Sequence, residues 1–227
     1  MEDLDLPARL LHRDASVLIL NKPAGLPVQA GPKGGPTLMD GLEALRFGLP
    51  RLPELAHRLD KDTSGCLVLG RHPRALADLG ALFAQGRVEK TYWAVVKGGP
   101  APEEGRIDMP LAKRSPQRGW WMKPDPKGQT AITDFRVLGR GDGLAWLELK
   151  PQTGRTHQLR VHCAASGFPI LGDTVYGDAP RFSGETLHLH ARAVIVPFHK
   201  NKPPISVVAP PPPHMIARLE SLGWRPD

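Results

Sequence analysis

The chain has 227 residues, 41% of them hydrophobic, with 30 basic and 23 acidic side chains giving a formal charge of +7. That hydrophobic share is ordinary for a soluble globular protein, and no apolar run approaches membrane-spanning length. The charge and a pI near 9.7 suit a polyanionic partner or simply a basic soluble protein, and charge alone does not separate the two. The two cysteines, Cys66 and Cys163, sit among apolar or small neighbours, which argues for reduced core thiols over a disulfide, metal pair or nucleophile. The length allows one large or two small domains, and no linker divides the middle, so one domain is expected. With 25 prolines and 24 glycines, strands and loops should outnumber helices. The N-terminus is acidic and lacks an apolar signal core, so a cytoplasmic location is expected.

In chain order, Ser16-Val17-Leu18-Ile19-Leu20 is the first expected strand, and Asn21-Lys22-Pro23-Ala24-Gly25-Leu26-Pro27 the loop leaving it. A flexible loop over residues 31–36 carries one lysine. Thr37 is placed to cap a short helix with Leu38, Leu42 and Leu45 on one face. His57-Arg58-Leu59-Asp60-Lys61-Asp62-Thr63-Ser64-Gly65 then gathers two carboxylates, two cations and two hydroxyls, and runs directly into Cys66-Leu67-Val68-Leu69. That apolar run reads as a buried strand bounded by Gly65 and Gly70, a rigid mount for a reactive side chain. By itself the polar string is equally a turn in which Asp60 or Asp62 caps a backbone amide.

Pro73 opens a helix with Leu76, Leu79, Leu82 and Phe83 as its core stripe and Gly86 as its stop. Residues 90–97 form a strand carrying Tyr92. Between Leu111 and Gly128, the cations Lys113, Arg114, Arg118, Lys123 and Lys127 interleave with Trp120 and Trp121. This pattern suits a loop or hairpin that grips phosphates and stacks a base, or a solvated face with one tryptophan in the core. Residues 131–138 and 144–149 alternate as a hairpin joined by 139–143. Gly154 provides a turn, and Thr156 is placed to cap a helix to about Ser166, with Arg160 on the same face one turn on. Leu187, Leu189 and Ala191 share one face of a strand. Pro210 to Pro213 is a stiff spacer before a terminal helix with Met215, Ile216, Leu219 and Leu222.

Several of these strings, ordered between Ser16 and His199, resemble the motifs of the RluA-type RNA pseudouridine synthases. They are Lys22-Pro23-x-Gly25, His57 to Gly65, Lys90-x-Tyr92, Thr153-Gly154-Arg155-x-His157-Gln158-Leu159-Arg160, and Phe168 to Gly177. The resemblance implies an α+β fold: a single catalytic domain with a bent, mostly antiparallel mixed sheet flanked by helices and loops. It would occupy residues 1–227, with a core of about 16–199 and a Pro-rich segment and helix over 200–227. The small N-terminal RNA-binding domain of many relatives is not expected here, so recognition would fall to the domain's own loops.

The resemblance further implies that uridines in structured RNA, ribosomal or transfer, are isomerised to pseudouridine. Asp60 is the implied catalytic carboxylate, either attacking the sugar or acting as the base that starts glycal formation. Arg160 would pair with it, opposing the rise in pKa that burial alone imposes. Tyr92 would stack on the target base and assist proton transfer. Arg58 would fill the gap left by the flipped nucleotide, and Leu189 would lie beside the uracil. Arg155, His157 and Gln158 are the further substrate-binding candidates, and Lys113, Arg114, Arg118, Trp120 and Lys123 the RNA-binding ones. No metal or organic cofactor, membrane or obligate protein partner is expected, and a monomer is. Nine histidines invite a metallohydrolase, but no His-Glu-x-x-His or Cys-x-x-Cys spacing is present. The alternative kept open is a non-catalytic RNA-binding protein or RNA chaperone on the same fold.

Overall fold

A computed structural model of the chain describes residues 5–31, 34–115, 121–180 and 184–226. Arg118 and Trp120, assigned above to RNA, and Lys33 of the early loop lie outside them. The chain forms two compact units: one up to Lys90 together with Ala191–Pro212, the other Thr91–His190 together with the chain from Pro213.

In the first unit, β1 (Leu10–Arg13), β2 (Val17–Lys22) and β4 (Ser64–Gly70) form an antiparallel ladder, and β3 (Glu54–Leu55) also pairs with β4. Every residue of β4 is buried, as its apolar run predicts. The β2–β4 register runs from Val17 opposite Gly70 to Lys22 opposite Gly65. It therefore delivers Lys22 to the end of the Asp60 loop. Helix α1 (Pro73–Ala84) starts at proline, and the His72 ring accepts a hydrogen bond from the Ala75 amide. It buries Ala75, Leu79 and Leu82, and Gly86 follows with a φ of 67°.

The first strand begins at Leu10, earlier than the sequence suggests, because β1 is half-buried and carries no clean alternation. Gly65 and Gly70 lie within β4 instead of bounding it. The segment after Thr37 is a 3-10 helix (Leu38–Leu45), with Asp40 accepting from the Thr37 amide at 2.8 Å, and it buries the three predicted leucines.

In the second unit, β5 (Glu89–Lys97) contributes Thr91–Lys97 and pairs antiparallel with β10 (Leu144–Pro151). β10 pairs with β9 (Ile132–Gly141), and β9 with β6 (Glu104–Asp108). A separate hairpin joins β7 (Leu111–Lys113) to β8 (Met122–Pro124). The β9–β10 turn is only Asp142 and Gly143, both left-handed at φ 50° and 71°, a tighter link than the five residues expected.

Helix α2 (Gln158–Ala165) is not capped by Thr156. His157 occupies the cap position in the left-handed region, at φ 53°, so Thr156 lies in the turn before the helix. β11 (Leu189–Val196) starts two residues later than the Leu187 expected. Its Ala193–Val196 segment pairs with β12 (Ile205–Val208) in the first unit. The terminal helix α3 (Pro213–Ser221) buries Met215 and Leu219 in a cluster with Val95, Trp146 and Leu171.

Candidate active site

The Asp60 loop is held from two sides within the first unit. The His57 ring stacks on Phe83 at 4.6 Å, and its Nε2 accepts the Val68 amide at 3.0 Å. Burial, and then the Lys90 charge, push its pKa down to about 4, so the imidazole is neutral at pH 7. With Nε2 spent on the backbone, His57 anchors the loop onto β4 and α1. On the other side Lys22 is fully buried, and its Nζ donates to the carbonyls of Pro23 (2.8 Å), Leu26 (2.8 Å) and Lys61 (2.9 Å). All three ammonium protons are thereby used. Burial pulls its pKa down to about 8, partly offset by the charges of Asp62 and Asp60. The ammonium fixes the residue next to Asp60 and places a positive charge near its carboxylate.

Asp60 itself is half-buried, and its carbonyl accepts the Thr63 amide at 3.2 Å, closing the turn. Arg58 is exposed, and Thr63 and Ser64 are buried. Gly65 has a φ of 106°, and a Cβ there would lie 2.2 Å from the Ala191 carbonyl oxygen. Only glycine lets the loop enter β4 so close to a neighbouring backbone.

In the second unit Arg160 is 5% and Asp173 1% exposed. The guanidinium makes a two-pronged bond to that carboxylate, Nε to Oδ2 at 2.8 Å and Nη2 to Oδ1 at 2.7 Å. Oδ1 also accepts the amides of Val175 and Tyr176. Burial pushes the Asp173 pKa up, but Arg160 and these amides outweigh it and hold the carboxyl below its usual range. The sequence reading missed Asp173 as the buried partner of Arg160. Its one signal was an acid one glycine beyond the apolar Ile170-Leu171.

Gln158 is buried and spends both lone pairs and both amide protons inside the protein. Its Oε1 accepts from Thr153 Oγ1 and the Arg155 amide, and its Nε2 donates to the Ile132 carbonyl and Thr133 Oγ1. Its observed work is to brace the loop before α2. Exposed Arg155 donates from Nε to the Thr130 carbonyl at 3.0 Å. His157 Nδ1 lies 2.8 Å from the Tyr176 hydroxyl. Tyr92, half-buried opposite Leu149, packs against the cluster that contains Leu189, so these two candidates share one apolar wall. On the β7–β8 hairpin, Lys113, Arg114 and Lys123 are exposed, and the Arg114 guanidinium lies 5.5 Å over the half-buried Trp121 ring.

Burial raises both thiols, Cys66 and Cys163, to about 12, which leaves neither as a nucleophile. Among the described residues, no group of three His, Cys, Asp or Glu side chains is arranged to hold a metal ion, and no helix is long and apolar enough to cross a membrane.

The architecture is the pseudouridine synthase fold. Human RNA pseudouridylate synthase domain containing 4 superposes with a TM-score of 0.81 at 30% identity, covering 96% of this chain and 94% of that one. A family model described as RNA pseudouridylate synthase matches residues 16–165. An uncharacterized RNA pseudouridine synthase of Zymomonas mobilis is 44% identical over 209 residues, 91% of this chain and 95% of its own length. Ribosomal large subunit pseudouridine synthase D of Haemophilus ducreyi is 37% identical over 187 residues, 79% of this chain and 56% of that protein. The chain belongs to the RluA-type RNA pseudouridine synthases, isomerases that act on RNA.

Proposed function

We propose that this protein isomerises particular uridines of ribosomal or transfer RNA, with Asp60 as the catalytic carboxylate. The reading rests on one observation above all: an aspartate on a turn clamped by a buried ammonium and a neutral imidazole, in a string that resembles the family's active-site motif. In the reaction the bond from ribose C1′ to uracil N1 breaks, the base turns, and C1′ joins C5, whose hydrogen leaves as a proton while N1 gains one. Asp60 either attacks C1′ or takes the proton that opens the glycal route. Arg160 is assigned to pair with Asp60 on its place in the string that resembles the family's Thr-Gly-Arg-x-His-Gln-Leu-Arg motif. Tyr92 is assigned to the base face and Leu189 to its edge.

Arg58 takes the place of the extruded nucleotide, offsetting unstacking that costs a few kcal/mol. Lys113, Arg114 and Lys123 hold phosphates, so affinity falls steeply with salt. Arg155 and His157 border the start of α2 and are assigned to the substrate, and Arg118 and Trp120 are assigned to RNA contact from the sequence alone. The name of the Haemophilus relative favours ribosomal RNA as substrate. The protein acts as a monomer in the cytoplasm. Pseudouridine mapping of RNA from a deletion strain should show sites lost and restored by the wild-type gene. No lost site in either ribosomal or transfer RNA would refute the proposal.

The Lys22 clamp carries a pH signature. As pH rises through about 8 the amine loses its proton, one of three carbonyls loses its donor, and the charge beside Asp60 disappears. Turnover should therefore decline along a single-proton limb near that pH. The limb should vanish in Lys22→Arg, whose guanidinium stays charged, and a limb unchanged in that variant would remove Lys22 from the explanation.

A further inference from the structure

Tyr176 joins four pieces of the second unit that the chemistry assigned above does not connect. Its hydroxyl accepts the Met122 amide of β8 at 2.9 Å and lies 2.8 Å from His157 Nδ1. Its ring lies under the Arg160 guanidinium, 5.3 Å from Cζ to centroid, within cation–π range. Its amide donates to Asp173 Oδ1, the oxygen that also receives Arg160 Nη2. His157, which the hydroxyl holds, is the left-handed residue from which α2 departs, and Arg160 lies in the first turn of that helix. A non-glycine residue at positive φ persists only where its surroundings hold it. The basic hairpin, the start of α2 and the placement of the arginine therefore meet at one phenol.

We infer that Tyr176 is a positioning residue for Arg160 and couples it to the β7–β8 hairpin, so that RNA seated on the hairpin sets the guanidinium. The inference rests on the assignment of Arg160 and the hairpin made above. A hairpin drawn toward phosphate through Lys113, Arg114 or Lys123 moves the Met122 amide. The hydroxyl passes that shift to His157 and the ring passes it to Arg160. Substrate engagement and the electrostatics of the reacting centre are linked without a contact between RNA and Tyr176.

The test uses the full chain and, as probe, total RNA from a deletion strain labelled with tritium at uridine C5. Tyr176→Phe keeps the ring and removes the hydroxyl. It should retain wild-type circular dichroism and a KM within about two-fold, and lose on the order of ten- to a hundred-fold in kcat. Arg114→Ala with Lys123→Ala should lower kcat as well as raise KM in the wild type, and raise KM alone when Tyr176 is already Phe. Amide exchange, measured in the Asp60→Asn chain bound to the same RNA, supplies a readout independent of turnover. RNA should slow exchange both in β8 and in the first turn of α2, and Tyr176→Phe should leave only the β8 response. A kcat within about two-fold of wild type, a loss confined to KM, or an α2 response unchanged by the substitution would overturn the coupling. Full turnover by Asp60→Asn would instead overturn the assignment of Asp60, and the exchange result would still decide the role of Tyr176.

Discussion

Asp60→Asn is expected to bind RNA with wild-type affinity and to lose turnover by on the order of a thousand-fold or more, the loss typical of deleting a catalytic nucleophile or base. The substitution is nearly isosteric and leaves the loop intact. The Asp60–Thr63 turn uses the Asp60 carbonyl, and the flanking clamp uses the Lys61 carbonyl and the His57 ring. What is removed is negative charge and basicity at one position. Tritium release from C5-labelled RNA measures the chemistry directly, because that hydrogen leaves only when C1′ joins C5. Filter binding of the same RNA measures affinity. Activity within ten-fold of wild type would eliminate both routes proposed for the carboxylate. A wild-type protein that binds this RNA but never releases tritium would instead be a binding protein on an enzyme's fold.

Asp173→Asn should be the most damaging single change to stability at this site, about 3–5 kcal/mol at pH 7. Arg160 is 5% exposed, and the amide cannot neutralise its buried charge. For a chain of this length that loss lowers the melting temperature by roughly 10 °C, measured by calorimetry or circular dichroism. The pH dependence has a defined sign. The folded Asp173 carboxyl titrates below its ordinary value of 3.8. Its contribution is therefore complete above that value and is lost as pH falls through the lower folded one. Wild type and Asp173→Asn should thus differ fully at pH 7 and converge in strong acid. Replacing both partners by leucine should recover much of the stability and none of the activity, since an apolar pair does not strand a charge. A melting temperature unchanged in Asp173→Asn would show that the fork adds nothing to the folded state.

The site divides cleanly by how its residues are encoded. Asp60, Arg58, Gly65 and Lys22 lie in contiguous strings that resemble the family's motifs, and the Asp60 loop leads straight into an apolar run bounded by glycines, which reads as a buried strand. The α1 stripe and the β9–β10 hairpin were legible for the same reason, since periodicity and turn chemistry are local. The start of α2 was not. Thr156 has the right chemistry for a cap, but the Tyr176 hydroxyl, nineteen residues away, is bonded to His157 in the left-handed conformation, and the helix departs from there.

The amino-acid sequence by itself pointed to the family, to the acid and the arginine proposed for the reaction, and to the strand that mounts the acid, because each is written in contiguous residues. Only the tertiary structure decided what each buried polar group rests on: Asp173 for Arg160, three backbone carbonyls for Lys22, a strand amide for the neutral His57. Such partners lie anywhere from one residue away, as Pro23 does from Lys22, to thirty-nine, as Lys61 does, and no spacing in the sequence marks them. They are selected by what satisfies a buried charge or lone pair once water has been excluded, a condition that exists only in the folded protein.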